Sequence, residues 1–158
     1  SPLGPLTLAA TDNGLVRLGF STEDEDEIFD ELATKVSPRV MRAPRGALGD
    51  ARRQLDEYFD GRRREFDVHL DWRLVGGFRR SVLEATASIP YGDTGTYRSV
   101  AAAAGSPAAV RAAGTALAKN PIPIFVPCHR VLRSDGQIGN YRGGADAKAR
   151  LLALEEVR

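Results

Sequence analysis

The residues best suited to chemistry in this chain lie in the segment NPIPIFVPCHRV, residues 120–131. It contains the only cysteine of the 158 residues, Cys128, with a proline before it and His129 after it. A thiolate is a strong nucleophile, and a neighbouring imidazole can accept the proton that the thiol must lose. The apolar residues before the pair predict that the thiol lies in an apolar pocket. A lone buried cysteine can also be an inert core residue, and on these residues alone that alternative stays open.

The order of the two residues limits how they can act together. We predict an extended segment here, in which neighbouring side chains point to opposite faces, so that His129 acts on the Cys128 thiol through a bridging water. A carboxylate on the other ring nitrogen would hold the imidazole in one tautomer. Glu155, near the end of the last helical segment, is the candidate carboxylate. Three further residues are available to hydrogen-bond or stack on a ligand: Tyr97, Asn140 and Tyr141.

The region that positions these groups, residues 78–158, has a mainly helical pattern. FRRSVLEATASIP predicts one helix, and YRSVAAAAG and SPAAVRAAGTALAKNP predict two more, the last with Ser106 as its N-cap. The Gly-Ser-Pro turn between the last two gives a helix-turn-helix pattern. The second of these helices is rich in small residues and carries Arg111, so it can approach another surface closely. Ala-rich helices are more often close packing elements, and that interpretation competes with a DNA-facing one.

Residues 1–72 predict a separate α/β part. LTLAA and GLVRLGF flank a TDNG turn and predict a β-hairpin. STEDEDEIFDELATKV predicts a helix capped by Ser21 or Thr22, with five consecutive acidic residues near its start, where the helix dipole favours them. GALGDARRQLDEYFDG predicts a second helix, and EFDVHLDW predicts a strand that leaves His69 on the surface. Residues 73–77 are the predicted linker to a second domain, residues 78–158.

The charges of the chain are unevenly distributed. Residues 1–71 carry 10 Lys and Arg against 15 Asp and Glu, whereas residues 72–158 carry 12 against 6. A basic second half joined to an acidic first half is consistent with binding of a polyanion, with nucleic acid the first candidate. Chance variation along the chain explains the asymmetry equally well.

Composition also excludes several classes of protein. One cysteine excludes an intramolecular disulfide. No stretch approaches the roughly 20 apolar residues that span a bilayer, and the first residues lack the basic start of a signal peptide. We therefore expect a cytoplasmic protein that does not act on a membrane.

The motifs together resemble one family. PCHRV, preceded by NPIPIFV and followed by GNYRGG, with IPYGDTGTY and the Arg-bearing helix upstream, closely resembles the O6-alkylguanine-DNA alkyltransferases, also called methylated-DNA–protein-cysteine methyltransferases. The resemblance is specific over residues 78–155 and rests on general pattern over residues 1–71. It implies an N-terminal α/β domain with a small ribonuclease H-like sheet, and a mainly α C-terminal winged helix-turn-helix domain.

The resemblance also implies a reaction. An alkyl group, such as methyl, would pass from O6 of guanine, and from O4 of thymine, in double-stranded DNA to Cys128 in one irreversible step. His129 and Glu155 would be the water-mediated relay that forms the thiolate. Tyr97 would donate a proton or hydrogen bond to the departing guanine. Arg111 would fill the gap left when the nucleotide is flipped out through the minor groove.

Other positions match the family's DNA-binding and pocket residues. The helix of residues 109–119 corresponds to the element that enters the minor groove, and Asn120 to the hinge that ties it to the active-site loop. The further DNA-facing positions implied are Ala109, Ala112, Ala113, Thr115 and Lys119. The positions implied around the pocket and its supports are Arg130, Asn140, Tyr141, Arg142 and Lys148.

Some positions depart from the family. Leu83 stands where the family usually has tryptophan, and Arg142 stands where many members have a small residue, so the pocket mouth is expected to be narrower or more basic. With one cysteine and only two histidines, we expect no structural zinc and no other cofactor. We expect a monomer in solution, and whether it binds DNA cooperatively stays open.

Two rival functions come from other classes. A binding-only relative would recognise alkylated guanine without repairing it, but such proteins lack the acceptor cysteine. A cysteine hydrolase using Cys128 and His129 would turn over repeatedly and would have no need of Arg111 on a smooth helix.

Overall fold

The computed structural model describes residues 1–41 and 48–155, and the chain divides into two compact units, residues 1–74 and 75–158. The first unit contains a small sheet, and the second is mainly helical, as the sequence predicts. None of the helices in the described ranges is both long enough and apolar enough to cross a membrane.

The first unit is built on a hairpin and two helices. Strand β1 (Thr7–Thr11) pairs antiparallel with β2 (Gly14–Gly19) across a two-residue turn, which confirms the predicted hairpin. Helix α1 (Glu25–Lys35) follows, and α2 (Gly49–Phe59) comes later in the unit. The apolar side of β2 packs on α1 through three buried residues: Val16, Ile28 and Leu32.

The predicted N-cap of α1 is wrong. The cap is Asp24, whose carboxylate accepts a hydrogen bond from the Asp26 amide at 2.8 Å. Ser21 and Thr22 lie in a turn closed by a hydrogen bond from the Glu23 amide to the Phe20 carbonyl at 3.0 Å. The Glu23 side chain fixes this turn by accepting the Phe20 amide at 2.8 Å, so the helix begins only after it.

The segment EFDVHLDW is not the predicted strand. Its described β-pairing is one isolated parallel bridge, between Leu15 and Leu70. The Gln54 side chain from α2 takes the place of a neighbouring strand: its amide donates to the Asp67 carbonyl at 3.0 Å and accepts the Asp67 amide at 2.8 Å. The predicted alternation is nevertheless present, with His69 exposed and three half-buried apolar residues, Phe66, Val68 and Leu70.

The described residues of the second unit form four α-helices and a short parallel pair of strands. The helices are α3 (Gly77–Ala87), α4 (Tyr97–Ala103), α5 (Val110–Ala118) and α6 (Ala145–Leu154). Strands β3 (Gly95–Thr96) and β4 (Val131–Leu132) pair in parallel. Helices α3, α4 and α5 pack on one another, with Leu83 fully buried in α3.

The predicted N-cap of α5 is also wrong. Ser106 belongs to a preceding turn, in which its carbonyl accepts the Ala109 amide at 3.0 Å. The helix therefore begins at Val110 with Ala109 in the capping position. Helix α4 begins with a complete capping box, in which Thr96 and Ser99 bond each other's backbone amides.

Candidate active site

The loop that leads to the cysteine is held from inside by Asn120. Residues 120–131 are buried without interruption. The Asn120 amide donates to the Val126 carbonyl at 3.0 Å, and its oxygen accepts the Ile122 amide at 3.0 Å. Ile124 has a φ of 74°, which is unusual for a β-branched residue and costs free energy. The loop keeps this conformation because Asn120 fixes the chain on both sides of it.

Cys128 lies in a 3-10 turn, Cys128–Arg130, and not in the predicted extended segment. Pro127 starts the turn, and its carbonyl accepts the Arg130 amide at 2.9 Å. In such a turn three residues complete one rotation, so successive side chains do not point to opposite faces. Both Cys128 and His129 are buried, with exposures of 3% and 0%.

The imidazole of His129 is held by the predicted carboxylate. Glu155 caps the C-terminal end of α6 and is buried, and its Oε2 lies 2.8 Å from His129 Nε2. An ionised carboxylate only accepts, so Nε2 carries the proton and Nδ1 of the neutral ring carries a lone pair. Nδ1 is buried, and among the described residues it has no hydrogen-bond partner. Burial lowers the pKa of His129, against the opposing effect of Glu155, so the ring is neutral at pH 7.

Arg130 completes the surroundings of Glu155. Its Nε donates to Glu155 Oε1 at 2.8 Å and its Nη2 donates to Oε2 at 2.9 Å, a bidentate pair in a buried position. Its Nη1 donates to the carbonyl of Ile89, just after α3, at 2.7 Å. Sequence reasoning placed Arg130 among the pocket supports but did not find this pair. The partners are 25 residues apart, and no local signal connects them.

Burial keeps the Cys128 thiol neutral. Burial raises the pKa of Cys128 to about 11, against the lowering effects of a hydrogen bond from the Asn120 side chain and of the charges of Lys148 and Arg142. Lys148 is itself buried, which lowers its pKa to about 8. Its ammonium donates to the Val131 carbonyl at 2.7 Å and lies 5.8 Å from the centre of the Tyr97 ring.

Tyr97 is the first residue of α4 and faces the pocket loop, which we define as residues 139–144. A Cβ atom built on Gly139 would lie 2.7 Å from the Tyr97 hydroxyl, so a larger residue would displace that side chain, and the φ of 76° there also favours glycine. Burial, and then the charge of an ionised Cys128, raise the pKa of Tyr97. The phenol is therefore a neutral hydrogen-bond donor at pH 7.

The pocket loop carries three more of the predicted residues. The Tyr141 ring meets the His129 ring edge-on, with centroids 6.5 Å apart. Asn140 is exposed, and its backbone lies close enough to Tyr97 to lower the pKa of the phenol. Arg142 Nη1 donates to the carbonyls of Lys119 and Asn120 at 3.2 and 3.1 Å.

Helix α5 presents only part of its predicted DNA-facing set. Arg111, Ala112 and Lys119 are exposed, and Ala109 and Thr115 are half-buried. Ala113 is fully buried, so its assignment to the DNA-facing side is wrong. It lies on the same side of the helix as buried Ala116 and Leu117, the side that packs into the unit. The exposed side is smooth, with Arg111 projecting from the first turn.

Comparisons with known proteins agree over the whole chain. Residues 77–157 match the family model described as 6-O-methylguanine DNA methyltransferase, DNA binding domain, and residues 1–72 match its ribonuclease-like domain. A methylated-DNA–protein-cysteine methyltransferase of Methanosarcina barkeri is 40% identical over 99% of this chain and 93% of its own length.

Two solved structures from Mycobacterium tuberculosis are similar in fold. The O6-methylguanine methyltransferase has a TM-score of 0.83 at 40% identity, and the match covers 100% of this chain and 90% of that one. A second structure, titled OGT in complex with DNA, has a TM-score of 0.81 at 39% identity, and the match covers 99% and 89% of the two chains.

Proposed function

The chain belongs to the methylated-DNA–protein-cysteine methyltransferase family, and we propose that it repairs DNA by moving the alkyl group from O6 of guanine to Cys128, once per molecule. The observation that carries the proposal is the state of His129. Glu155 holds its Nε2–H, so the buried Nδ1 offers a lone pair in the same turn as the only thiol. The same chemistry would act on O4 of thymine, which presents an equivalent alkyl ether.

The reaction needs one proton transfer at each end. His129 Nδ1 takes the thiol proton through a water, and the thiolate attacks the alkyl carbon of the substrate. The bond from this carbon to O6 breaks, its electron pair passes to the guanine, and Tyr97 donates a proton or hydrogen bond to the departing base. The thioether formed on Cys128 has no easy route back to a thiol. The protein is therefore consumed by one reaction.

The substrate must reach a thiol that is 3% exposed. Guanine O6 is inaccessible within a stacked duplex, so the nucleotide has to be flipped out, at a cost of a few kcal/mol. The smooth exposed side of α5 fits the minor groove, and Arg111 fills the gap in the base stack, which offsets part of that cost. The basic composition of residues 72–158 supports binding to phosphates.

The two parts of the chain have different roles in this proposal. We assign residues 1–72 to a ribonuclease H-like α/β domain, residues 73–77 to a linker, and residues 78–158 to a winged helix-turn-helix domain that carries the chemistry. The protein acts as a monomer on double-stranded DNA. The reducing cytoplasm suits a protein that depends on one free thiol.

A mass spectrum tests the proposal. After incubation with excess duplex DNA containing O6-methylguanine, the protein should gain one methyl group, on the peptide that contains Cys128. Cys128→Ser should gain none, and His129→Gln should react much more slowly. His69→Gln is the matched control, because His69 is exposed in the other unit and should leave the rate unchanged. Repeated turnover on the excess DNA would identify a hydrolase and contradict the proposal.

A further inference from the structure

Arg142 connects the pocket loop to the end of α5. Its Nη1 donates to the Lys119 carbonyl at 3.2 Å and to the Asn120 carbonyl at 3.1 Å. Lys119 is the C-cap of α5, where the last carbonyls lack donors within the helix and the helix dipole favours a cation. The guanidinium therefore binds a position that suits it in both geometry and charge.

The two segments that Arg142 joins both contact the surroundings of the thiol. On the loop side, the neighbouring Tyr141 ring meets the His129 ring edge-on. On the α5 side, the Asn120 amide holds the loop that leads to Cys128, and the Asn120 side chain lowers the pKa of the thiol. The charge of Arg142 lowers the pKa of Cys128, so the guanidinium lies within electrostatic reach of the sulfur.

We propose that Arg142 is a positioning residue that fastens the pocket loop to the end of α5 and so limits the size of the alkyl group that reaches Cys128. Without it, the loop loses its hydrogen bonds to the Lys119 and Asn120 carbonyls and can move away from α5. A larger group then has room beside the thiol. The alkyl group as substrate rests on the proposed function, but the restriction on access is a property of the pocket alone.

Two thiol reagents of different size measure this access directly. Iodoacetamide and its N-benzyl derivative both react when the Cys128 thiolate displaces iodide and forms a carbon–sulfur bond. Loss of the Arg142 charge changes the thiolate fraction equally for both, so the ratio of the large-reagent rate to the small-reagent rate reports size alone. In Arg142→Ala this ratio should rise about tenfold, the change that corresponds to one charge-assisted hydrogen bond of about 1.4 kcal/mol. Arg142→Lys keeps the charge and a single donor nitrogen without the planar guanidinium, and should give an intermediate ratio.

Arg79→Ala is the control, because Arg79 is an exposed residue at the start of α3 and its loss should leave the ratio unchanged. An unchanged ratio in Arg142→Ala would overturn the proposal. An equal rise of both rates leaves the ratio unchanged and would indicate a general loosening of the unit.

The free bases O6-methylguanine and O6-benzylguanine provide the second pair of substrates. Transfer from the benzyl compound should gain relative to the methyl compound in Arg142→Ala, and an unchanged preference would count against Arg142 as the size limit. If the unaltered protein transfers from neither base nor from duplex DNA, the proposed function fails, and the iodoacetamide ratio still decides the role of Arg142.

Discussion

Replacing Glu155 with glutamine should destabilise the second unit strongly. Glu155 is 2% exposed, and its carboxylate accepts hydrogen bonds from His129 Nε2 and from two nitrogens of Arg130. Glutamine has almost the same shape, so no cavity forms. It lacks the charge, however, and one of its two terminal atoms is an NH2 group that faces N–H donors. Arg130 is then a buried guanidinium without a counter-ion.

The size of the effect follows from this burial. Removing one partner of a buried ion pair typically costs about 3 to 5 kcal/mol, because the remaining charge stays desolvated. A domain of this size is stable by roughly 5 to 15 kcal/mol, so the loss is a large part of the total. With about 4 to 8 °C per kcal/mol for a unit of fewer than 100 residues, the melting temperature should fall by more than about 10 °C.

Urea denaturation followed by far-UV circular dichroism measures the change. The matched control is Glu84→Gln on α3, which breaks the Arg80–Glu84 ion pair of 2.6 Å, in which both side chains are about half exposed. Such a pair is worth well under about 1 kcal/mol. Arg130→Met combined with Glu155→Gln should cost less than the sum of the two single changes, since no buried charge is left alone. A loss below about 1 kcal/mol for Glu155→Gln, equal to the control, would refute the argument.

Two further predictions concern the reaction. Arg111→Ala should slow transfer from duplex DNA far more than from free O6-benzylguanine, which needs no flipping, whereas Lys119→Ala should mainly weaken duplex affinity. Single-turnover rates on both substrates at matched salt check this, and an equal loss on both would contradict the role of Arg111. The transfer rate should fall as the pH drops through the pKa of His129, which burial lowers from its ordinary 6.5, because only the neutral ring accepts the proton. A rise of about tenfold per pH unit above pH 7 would instead indicate direct ionisation of the Cys128 thiol, whose pKa is about 11.

Local signals predicted most of the fold. The TDNG turn between two apolar runs was sufficient to predict the hairpin. Gly105, with a φ of 95°, follows the C-cap of α4, at the end of the segment YRSVAAAAG that predicts this helix. The failures are places where a distant side chain decides. Gln54 supplies the backbone partners of residue 67 that a strand would have provided, and Glu23 fixes the turn before α1. Neither contact affects the local periodicity of apolar residues in the sequence, so neither could be predicted from it.

The site was predicted through its motifs and less well in its geometry. The sequence paired His129 with Glu155 across 26 residues, and the structure has that contact. Nothing in the sequence predicted the 3-10 turn at Cys128. The orientation of Ala113 was wrong because a helix of nearly uniform small residues has little contrast between its two sides.

The resting thiol is protected by the same burial that makes it hard to ionise. Burial raises the pKa of Cys128 to about 11 and lowers that of His129 below its ordinary 6.5, so moving the proton between them is strongly unfavourable before substrate binds. A neutral buried thiol reacts slowly with oxidants and stray electrophiles. In a low-dielectric pocket the attraction between thiolate and imidazolium, and the nearby charge of Lys148, are also stronger than in water. If the protein reacts only once, as we propose, it gains from a thiol that stays protonated until an alkylated base, which brings its own leaving group, lies beside it.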